Sequence, residues 1–217
     1  MKIGVLGTGM VGQAVGSKLA GLGNEVKMGS REAGNENAVA WTKETGEAAS
    51  EGSFADAAEF GELVVNCTAG MASLDALKAA GADNLAGKVL VDIANPLDAS
   101  EGFPPTLAFC NTESLGERIQ AAFPDTRVVK TLNTMNCQVM VDPSRVPGEH
   151  AVFVSGEDDG AKGEVTALLG SFGWPQERII DLGGIRAARG TEMYLPLWLH
   201  LYGELQTGDF NIGVLRA

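Results

Sequence analysis

The sequence lacks paired cysteines, metal-ligand spacings and long apolar runs. Its three cysteines, Cys67, Cys110 and Cys137, lie far apart, and no Cys-x-x-Cys pair or Cys/His spacing occurs. We therefore expect buried, reduced thiols and no metal site. The apolar runs are too short to cross a bilayer, and the chain begins directly with KIGVLG, without a signal-peptide pattern. These features predict a cytoplasmic protein with no membrane partner.

Positive charge is also scarce. The chain has 16 Lys and Arg residues against 28 Asp and Glu residues, which gives a net charge of −12. Because an acidic surface repels phosphate backbones, we expect no nucleic-acid partner. Any phosphate site must instead be built locally from backbone N–H groups and a few cations.

Short apolar strands alternate with helices through most of the 217 residues. Strands that are apolar from end to end, each followed by a helix, predict a parallel sheet covered on both faces. Right-handed crossovers then give an α/β fold with a doubly wound, Rossmann-type sheet. After about Asp142 the pattern changes to a small C-terminal α/β extension. Its apolar helical segment around Pro196 either walls a pocket or serves only as core or dimer interface.

The stretch GTGMVGQAV follows the first strand directly and opens a helix. Gly7 permits a sharp turn, Gly9 lets a pyrophosphate approach the backbone, and Gly12 lets the helix lie close to the strand. The free N–H groups at the start of the helix, and the positive end of its dipole, then face the phosphates. This context predicts dinucleotide binding, and the alternative is a tight turn without a ligand.

The second strand leads into Ser30 and Arg31, where proteins specific for NAD carry an acidic residue. A hydroxyl and a planar cation with five donors both suit the 2′-phosphate of NADP(H). We therefore expect NADP(H) rather than NAD(H). A purely local interpretation also exists, in which Ser30 caps the next helix and Arg31 is a solvated surface charge.

Further ligand-binding loops follow from the topology, because ligands of open parallel sheets lie beyond the carboxyl ends of the strands. Thr68 and Gly70 are expected on the adenosine and phosphate side. The carboxamides of Asn95 and Asn133 either reach the nicotinamide amide or ribose, or form turns. The loops in question are Cys67-Thr68-Ala69-Gly70, Ala94-Asn95-Pro96-Leu97 and Leu132-Asn133-Thr134.

No residue stands out as a catalytic acid or base. His150 and His200 both lie in apolar surroundings typical of structural histidines, and the chain has no Tyr-x-x-x-Lys or Ser-x-x-x-Lys pair. Hydride transfer to an acceptor that exchanges protons with solvent needs only orientation and electrostatics. The sequence therefore predicts no catalytic side chain, and it favours a flavin-like acceptor over an alcohol or ketone.

Several of these segments resemble the coenzyme F420-dependent NADP oxidoreductase family. They are GTGMVGQAV, the GSR that follows it, VLVDIANPLD, VVKTLNTMNCQVMVDP and GEHAVFVSGEDDGAK. The resemblance implies direct hydride transfer between NADP(H) and the deazaflavin coenzyme F420, with the two rings stacked. It also assigns Thr8, Gly9, Met10, Val11, Ser30 and Arg31 to NADP, and Asn95, Pro96, Asn133 and Met135 to the neighbourhood of the nicotinamide.

Two features leave the acceptor and the strictness of NADP preference open. Members of this family often carry a further basic residue after Ser-Arg, where this chain offers only Asn35. The LNTMN segment also resembles the reductase domain of membrane ferric reductases. The alternatives are an NADPH-dependent reductase of a flavin, ferric chelate or small carbonyl, and a non-catalytic redox sensor that binds NADP.

These inferences give a domain assignment. Residues 1–145 are predicted to form the NADP-binding Rossmann domain. Residues 146–217 are predicted to form a small C-terminal domain that contributes the acceptor pocket and a homodimer contact.

Overall fold

The computed structural model describes residues 1–215. Residues 216 and 217, the end of the predicted C-terminal domain, lie outside the described residues. The β-strands of the described part are β1 (Lys2–Leu6), β2 (Glu25–Ser30), β3 (Ala49–Ser53), β4 (Leu63–Asn66), β5 (Val89–Asp92), β6 (Leu97–Asp98), β7 (Thr106–Leu107), β8 (Arg127–Thr131), β9 (Val152–Ser155) and β10 (Ile179–Asp181).

The α-helices follow the strands in alternation over most of the chain. They are α1 (Met10–Gly21), α2 (Glu36–Thr45), α3 (Phe54–Phe60), α4 (Gly70–Ala80), α5 (Ala82–Leu85), α6 (Leu115–Ala122), α7 (Cys137–Val141), α8 (Asp159–Phe172), α9 (Ala188–Met193) and α10 (Leu195–Leu205).

The main sheet has the strand order β10-β9-β8-β5-β4-β1-β2-β3. Neighbouring strands are parallel except for β8 and β9, which pair antiparallel. The α/β fold with a doubly wound Rossmann-type sheet is therefore confirmed. Two strands, β9 and β10, run antiparallel to the other six, which the sequence did not predict. The reversal escaped prediction because a short apolar strand such as β9 carries no signal of its direction.

Apolar side chains cover both faces of this sheet. One cluster joins α1, α2, α7 and α8 to the sheet and includes Trp41 and Trp174. The other cluster joins α3, α4, α5, α6 and α9 to the opposite face and includes Leu77 and Ile119. Two buried faces explain why the central strands are apolar throughout.

The C-terminal region is continuous with the rest of the sheet, because β9 and β10 extend it beyond β8. Pro196 lies in the first turn of α10 and so begins a second helix, where its missing N–H has no helical partner to lose. The segment after α10 then folds back along the loop before β9. Arg145 pairs with Asp209 at 2.8 Å, and the Ala151 N–H donates to the Ile212 carbonyl at 2.9 Å.

Some local predictions were wrong. Cys110 is exposed rather than buried. His200 is also exposed, because α10 packs through Leu195 and Leu199 and His200 lies off that face.

No helix within residues 1–215 is long and apolar enough to cross a membrane. Within the same residues, no group of three or more His, Cys, Asp or Glu side chains is arranged to hold a metal ion.

Candidate active site

A cleft runs along the edge of the sheet formed by the carboxyl ends of its strands. It lies between β1 and β4, where the order in which successive strands are added to the sheet reverses direction. It consists of two pockets of about 600 Å³ and about 420 Å³. Residues 67–69, the turn after β4, line both of them. The shared wall makes the two pockets compartments of one elongated cleft.

The glycine-rich turn between β1 and α1 forms the floor of the first pocket. Gly7 has a φ of +115°, and a Cβ there would lie 2.7 Å from the Cys67 carbonyl oxygen, so only glycine fits. Gly12 packs against the backbone of Gly7 and likewise leaves no room for a side chain. Both glycines are explained by the fold of the chain itself.

Gly9 differs from these two glycines. Its φ of −80° suits any residue, and a Cβ built there would meet no described atom within 4 Å. The empty space lies at the N-terminus of α1, whose first N–H groups have no partner within the helix. A glycine that the fold does not require, beside unpaired N–H groups, fits the close approach of a ligand pyrophosphate.

Ser30 and Arg31 line the far side of the first pocket. The Ser30 hydroxyl donates to the Glu32 carbonyl at 2.5 Å, and Arg31 is exposed with no ion pair to any residue from 1 to 215. The cap of α2 is Asn35, whose side chain accepts the N–H groups of Asn37 and Ala38. The alternative in which Ser30 caps that helix is therefore wrong.

The loop after Arg31 is held in place by β3. The Gly34 N–H donates to the Glu51 carboxylate at 2.8 Å, and Gly34 has a φ of +80°. Phe54, at the start of α3, adds an aromatic wall to the pocket. Sequence reasoning missed Phe54 because it lies more than twenty residues from either predicted motif and looks like an ordinary core residue.

The turn after β4 is fixed by buried hydrogen bonds. The Thr68 hydroxyl donates to the Asn66 side-chain oxygen at 2.6 Å. Gly70, which follows, packs against the Asn95 carbonyl so closely that a Cβ has no room. Gly70 lines the second pocket only, whereas Thr68 lines both pockets.

Two asparagines lock together in the wall of the second pocket. The Asn95 side-chain N–H donates to the Asn133 carbonyl at 2.8 Å, and the Asn133 side-chain N–H donates to the Asn95 side-chain oxygen at 2.9 Å. This reciprocal pair joins the loops after β5 and β8. The asparagines are therefore part of a rigid wall, and each uses a side-chain N–H group in a hydrogen bond to the other.

Helix α10 supplies the remaining wall of the second pocket through Leu195 and Trp198. The Trp198 ring stacks on Tyr202 and on Phe210, with ring centroids 5.3 Å apart in both pairs. Met135, on the sheet side of the pocket, receives the Asn211 side chain at 4.0 Å. The tail after α10 thus supports both sides of this pocket.

The predicted site residues divide clearly between the two compartments. Gly12 and Pro96 line neither compartment. The first is lined by Gly7, Thr8, Gly9, Ser30, Arg31, Thr68 and Ala69. The second is lined by Met10, Val11, Thr68, Ala69, Gly70, Ala94, Asn95, Asn133 and Met135. It is also lined by Cys67 and Leu97 from the predicted loops, and by Leu195 and Trp198 from the apolar C-terminal segment. The lining residues that were not predicted individually are Ile93, Asn136, Cys137 and Met140.

The second pocket offers little acid–base chemistry. Among the described residues that line it there is no Asp, Glu, Lys, Arg or His. Burial raises the pKa of the Cys67 thiol far above its ordinary value and also raises the pKa of Cys137, so both stay protonated. His150 lies elsewhere, with Pro143 and Asn211 as the partners of its two ring nitrogens.

Beneath the cleft lies a buried ionic cluster, consisting of Asp92, Lys130 and Glu192, that sequence reasoning missed. The Lys130 ammonium donates to Asp92 and to Glu192 at 2.8 Å each. Burial alone would lower the pKa of Lys130, but the attraction of the two carboxylates outweighs it and raises that pKa. The available signal was a charged residue at a buried position of each of two strands, Asp92 in VLVD and Lys130 in RVVKT.

Fold and cleft together define a dinucleotide-binding α/β protein, and comparison with known proteins defines its family. Residues 2–96 match the family described as NADP oxidoreductase, coenzyme F420-dependent. The chain is 30% identical over 215 residues to the F420-dependent NADP reductase of Methanothermobacter marburgensis, covering 93% of this chain and 92% of that protein. This protein belongs to the coenzyme F420-dependent NADP oxidoreductase family.

Two further relatives are informative. A crystal structure of an Arthrobacter sp. FB24 protein, provisionally assigned as an F420-dependent NADP reductase, is 53% identical, with a TM-score of 0.94 and full coverage of both chains. The metalloreductase STEAP3 of Rattus norvegicus is 29% identical over 91% of this chain, but the chain spans only 38% of that protein. The predicted family, enzyme class and NADP(H) cofactor are thereby confirmed.

Proposed function

We propose that this protein transfers hydride directly between NADP(H) and a deazaflavin acceptor of the coenzyme F420 type. In this proposal the adenosine 2′-phosphate lies at Ser30 and Arg31, and the nicotinamide lies in the second pocket. The observation that carries it is the single cleft in which two pockets share the turn of residues 67–69. The names of the F420-dependent relatives support the choice of acceptor.

In the first pocket, phosphate binding depends on backbone N–H groups and on one cation, Arg31. The open space at Gly9 admits the pyrophosphate, and the start of α1 faces it with N–H groups. Arg31 has no competing carboxylate partner among the described residues and can pair with a phosphate dianion. Since a dianion only accepts hydrogen bonds, the Ser30 hydroxyl donates to it by leaving the Glu32 carbonyl.

The second half orients two rings and excludes water from between them. Bound NADP(H) supplies or accepts the hydride, and no side chain of the pocket needs to move a proton. The locked pair Asn95 and Asn133 gives one rigid wall, and Trp198 gives a flat aromatic wall. Reacting atoms held in such a geometry gain their rate from orientation.

The lining also favours an uncharged planar ring over a ferric chelate. A polyanionic chelate such as ferric citrate needs cations, and no Lys or Arg lines the second pocket within residues 1–215. The alternative is a redox sensor that binds NADP(H) and catalyses no hydride transfer.

The remaining parts of the proposal concern the surroundings of the enzyme. Residues 1–145 act as the NADP-binding domain, and residues 146–217 as the acceptor side. Leu197 and Leu205 on α10 are more than half exposed, and we place the contact of a homodimer there. We also propose a cytoplasmic location and no nucleic-acid partner, in keeping with the acidic composition.

A panel of acceptors tests this function. NADPH is mixed with oxidised coenzyme F420, FMN, ferric citrate, a quinone and a small ketone in turn, and its absorbance at the nicotinamide band is followed. We expect turnover with F420 at least about tenfold faster than with any other acceptor. Faster turnover with another acceptor would overturn the F420 assignment, and silence with all of them despite NADPH binding would favour the sensor.

A further inference from the structure

The buried ionic cluster of Asp92, Lys130 and Glu192 lines neither pocket of the cleft. All three side chains are at most 2% exposed, and they join β5, β8 and α9. Buried ion pairs contribute little net stability compared with apolar residues of similar size, because desolvation offsets their attraction. The retention of three charges at the floor of the cleft therefore calls for a role beyond packing.

Both carboxyl groups of the cluster accept hydrogen bonds from several donors. Asp92 accepts from Lys130 at 2.8 Å, from the Asn66 side chain at 2.8 Å and from the Ala94 N–H at 3.2 Å. Glu192 accepts from Lys130 at 2.8 Å and from the N–H groups of Leu115 and Gly116 at 2.8 and 3.1 Å. All of these partners are donors, as suits two carboxylates around one ammonium, and the formal charge of this set of side chains is −1.

The cluster lies directly behind the wall of the second pocket. Ala94, which lines that pocket, donates its N–H to Asp92 and accepts from Lys130 through its carbonyl. Asn66 links Asp92 to Thr68, which lines both pockets. Asp92 is thus one hydrogen bond away from Ala94 and two away from Thr68, both of which line the cleft.

We propose that Asp92, held by Lys130 and Glu192, is an electrostatic positioning residue that stabilises the oxidised form of the bound nicotinamide relative to the reduced form. The inference rests on the proposed placement of the nicotinamide in the second pocket. The oxidised ring carries a positive charge, and the reduced ring is neutral. A negative charge in a buried wall attracts the oxidised ring alone, since a neutral ring gains no Coulomb energy from it.

The substitution Asp92→Asn makes the wall one charge unit more positive at nearly constant volume. We expect it to raise the ratio of the dissociation constant for NADP⁺ to that for NADPH by about tenfold, for a charge about 10 Å away at an effective dielectric near 20. A tenfold change raises the midpoint potential of the bound couple by about 30 mV. Glu192→Gln changes the ratio in the same direction and by less, because Ala94 contacts Asp92 and not Glu192.

Ser73→Ala is the matched neutral control. The Ser73 hydroxyl is fully buried and bonded to Asn66 and Thr68, so its loss disturbs the same network without changing charge. We expect this variant to weaken both forms of the cofactor equally or not at all. Binding is measured by calorimetry with NADP⁺ and with NADPH, without any acceptor, and folding is monitored by circular dichroism.

The outcomes separate this inference from the proposed function. A ratio that stays constant in Asp92→Asn and Glu192→Gln, or that falls, overturns the electrostatic role while leaving the NADP site intact. Failure of the wild-type protein to bind either form overturns the NADP site itself and the inference with it. If neither charge variant folds, the wild-type ratio decides, and weaker binding of NADP⁺ than of NADPH contradicts the proposal.

Discussion

The two pockets of the cleft are built on different principles. The first pocket is lined mainly by backbone and small polar residues from three short segments, 7–9, 30–35 and 67–69. The second is lined by side chains from many elements, including Met135, Asn95 and Trp198. A backbone cradle recognises charge and tolerates few changes at glycine, whereas a side-chain wall recognises shape and can change its ligand through substitution. Substitutions in the second pocket are therefore expected to change the preferred acceptor more than the preferred cofactor.

The largest expected effect comes from closing the backbone cradle. Gly9→Val places a branched side chain in the open space at the start of α1, where the pyrophosphate must approach. We expect NADPH affinity to fall about 100-fold, because steric overlap of this kind costs about 3 kcal/mol of binding free energy. Calorimetry measures the affinity, and the melting temperature checks the fold.

Gly21→Ala is the control for Gly9→Val. Gly21 ends the same helix and also has open space around its Cβ position. It should bind NADPH like the wild type. Retention of full affinity in a folded Gly9→Val variant would contradict the cradle.

The next largest effect concerns Arg31, the cation proposed to select NADPH over NADH. Arg31→Ala should raise the KM for NADPH about 10-fold to 100-fold more than the KM for NADH, because a charged hydrogen bond to phosphate is worth about 1.5–3 kcal/mol. Lys43→Ala, which removes an exposed cation from the neighbouring helix α2, should change both KM values alike. Equal effects of Arg31→Ala on the two cofactors would place the 2′-phosphate elsewhere.

Removing the aromatic wall of the second pocket should have a smaller effect, and it should weaken binding of the acceptor rather than of NADPH. Trp198→Ala removes the flat surface that faces the pocket and stacks with Tyr202 and Phe210. We expect the KM for the acceptor to rise about tenfold, since aromatic contacts are worth about 0.5–1.5 kcal/mol beyond area burial. NADPH affinity should change less than about twofold. His200→Ala, on the exposed side of α10, is the control. A loss confined to NADPH affinity would contradict the division of the cleft.

The smallest expected effect concerns the locked asparagines. Asn133→Ala removes its bond to the Asn95 side-chain oxygen but keeps the backbone carbonyl that Asn95 donates to. The loss of about 1 kcal/mol should lower the melting temperature by about 2–4 °C, and a less rigid wall should lower kcat a few-fold. Asn24→Ala removes a bond to the Leu19 carbonyl outside the cleft and should lower the melting temperature alone. An unchanged kcat in Asn133→Ala would assign that pair to stability only.

The difference between the two pockets also explains which parts of the cleft could be predicted from the sequence. Gly7, Gly9, Ser30 and Arg31 lie within one βαβ unit, so local spacing predicts both the turn and the phosphate site. The direction of β9 and the wall from α10 depend on contacts between distant segments, for which spacing carries no information. The buried charges of Asp92 and Lys130 were visible as charged residues in two predicted strands, but their shared partner Glu192 comes from a helix 62 residues beyond Lys130.

The central claim is that hydride passes directly between rings held in the second pocket. The most direct test is a single turnover with NADPH carrying deuterium at C4, first on one face and then on the other, in the presence of oxidised coenzyme F420. We expect deuterium in the reduced F420 from one of the two labelled cofactors only, as fixed by the rigid walls. Loss of the label to water with both cofactors, or transfer from both faces alike, would contradict the account.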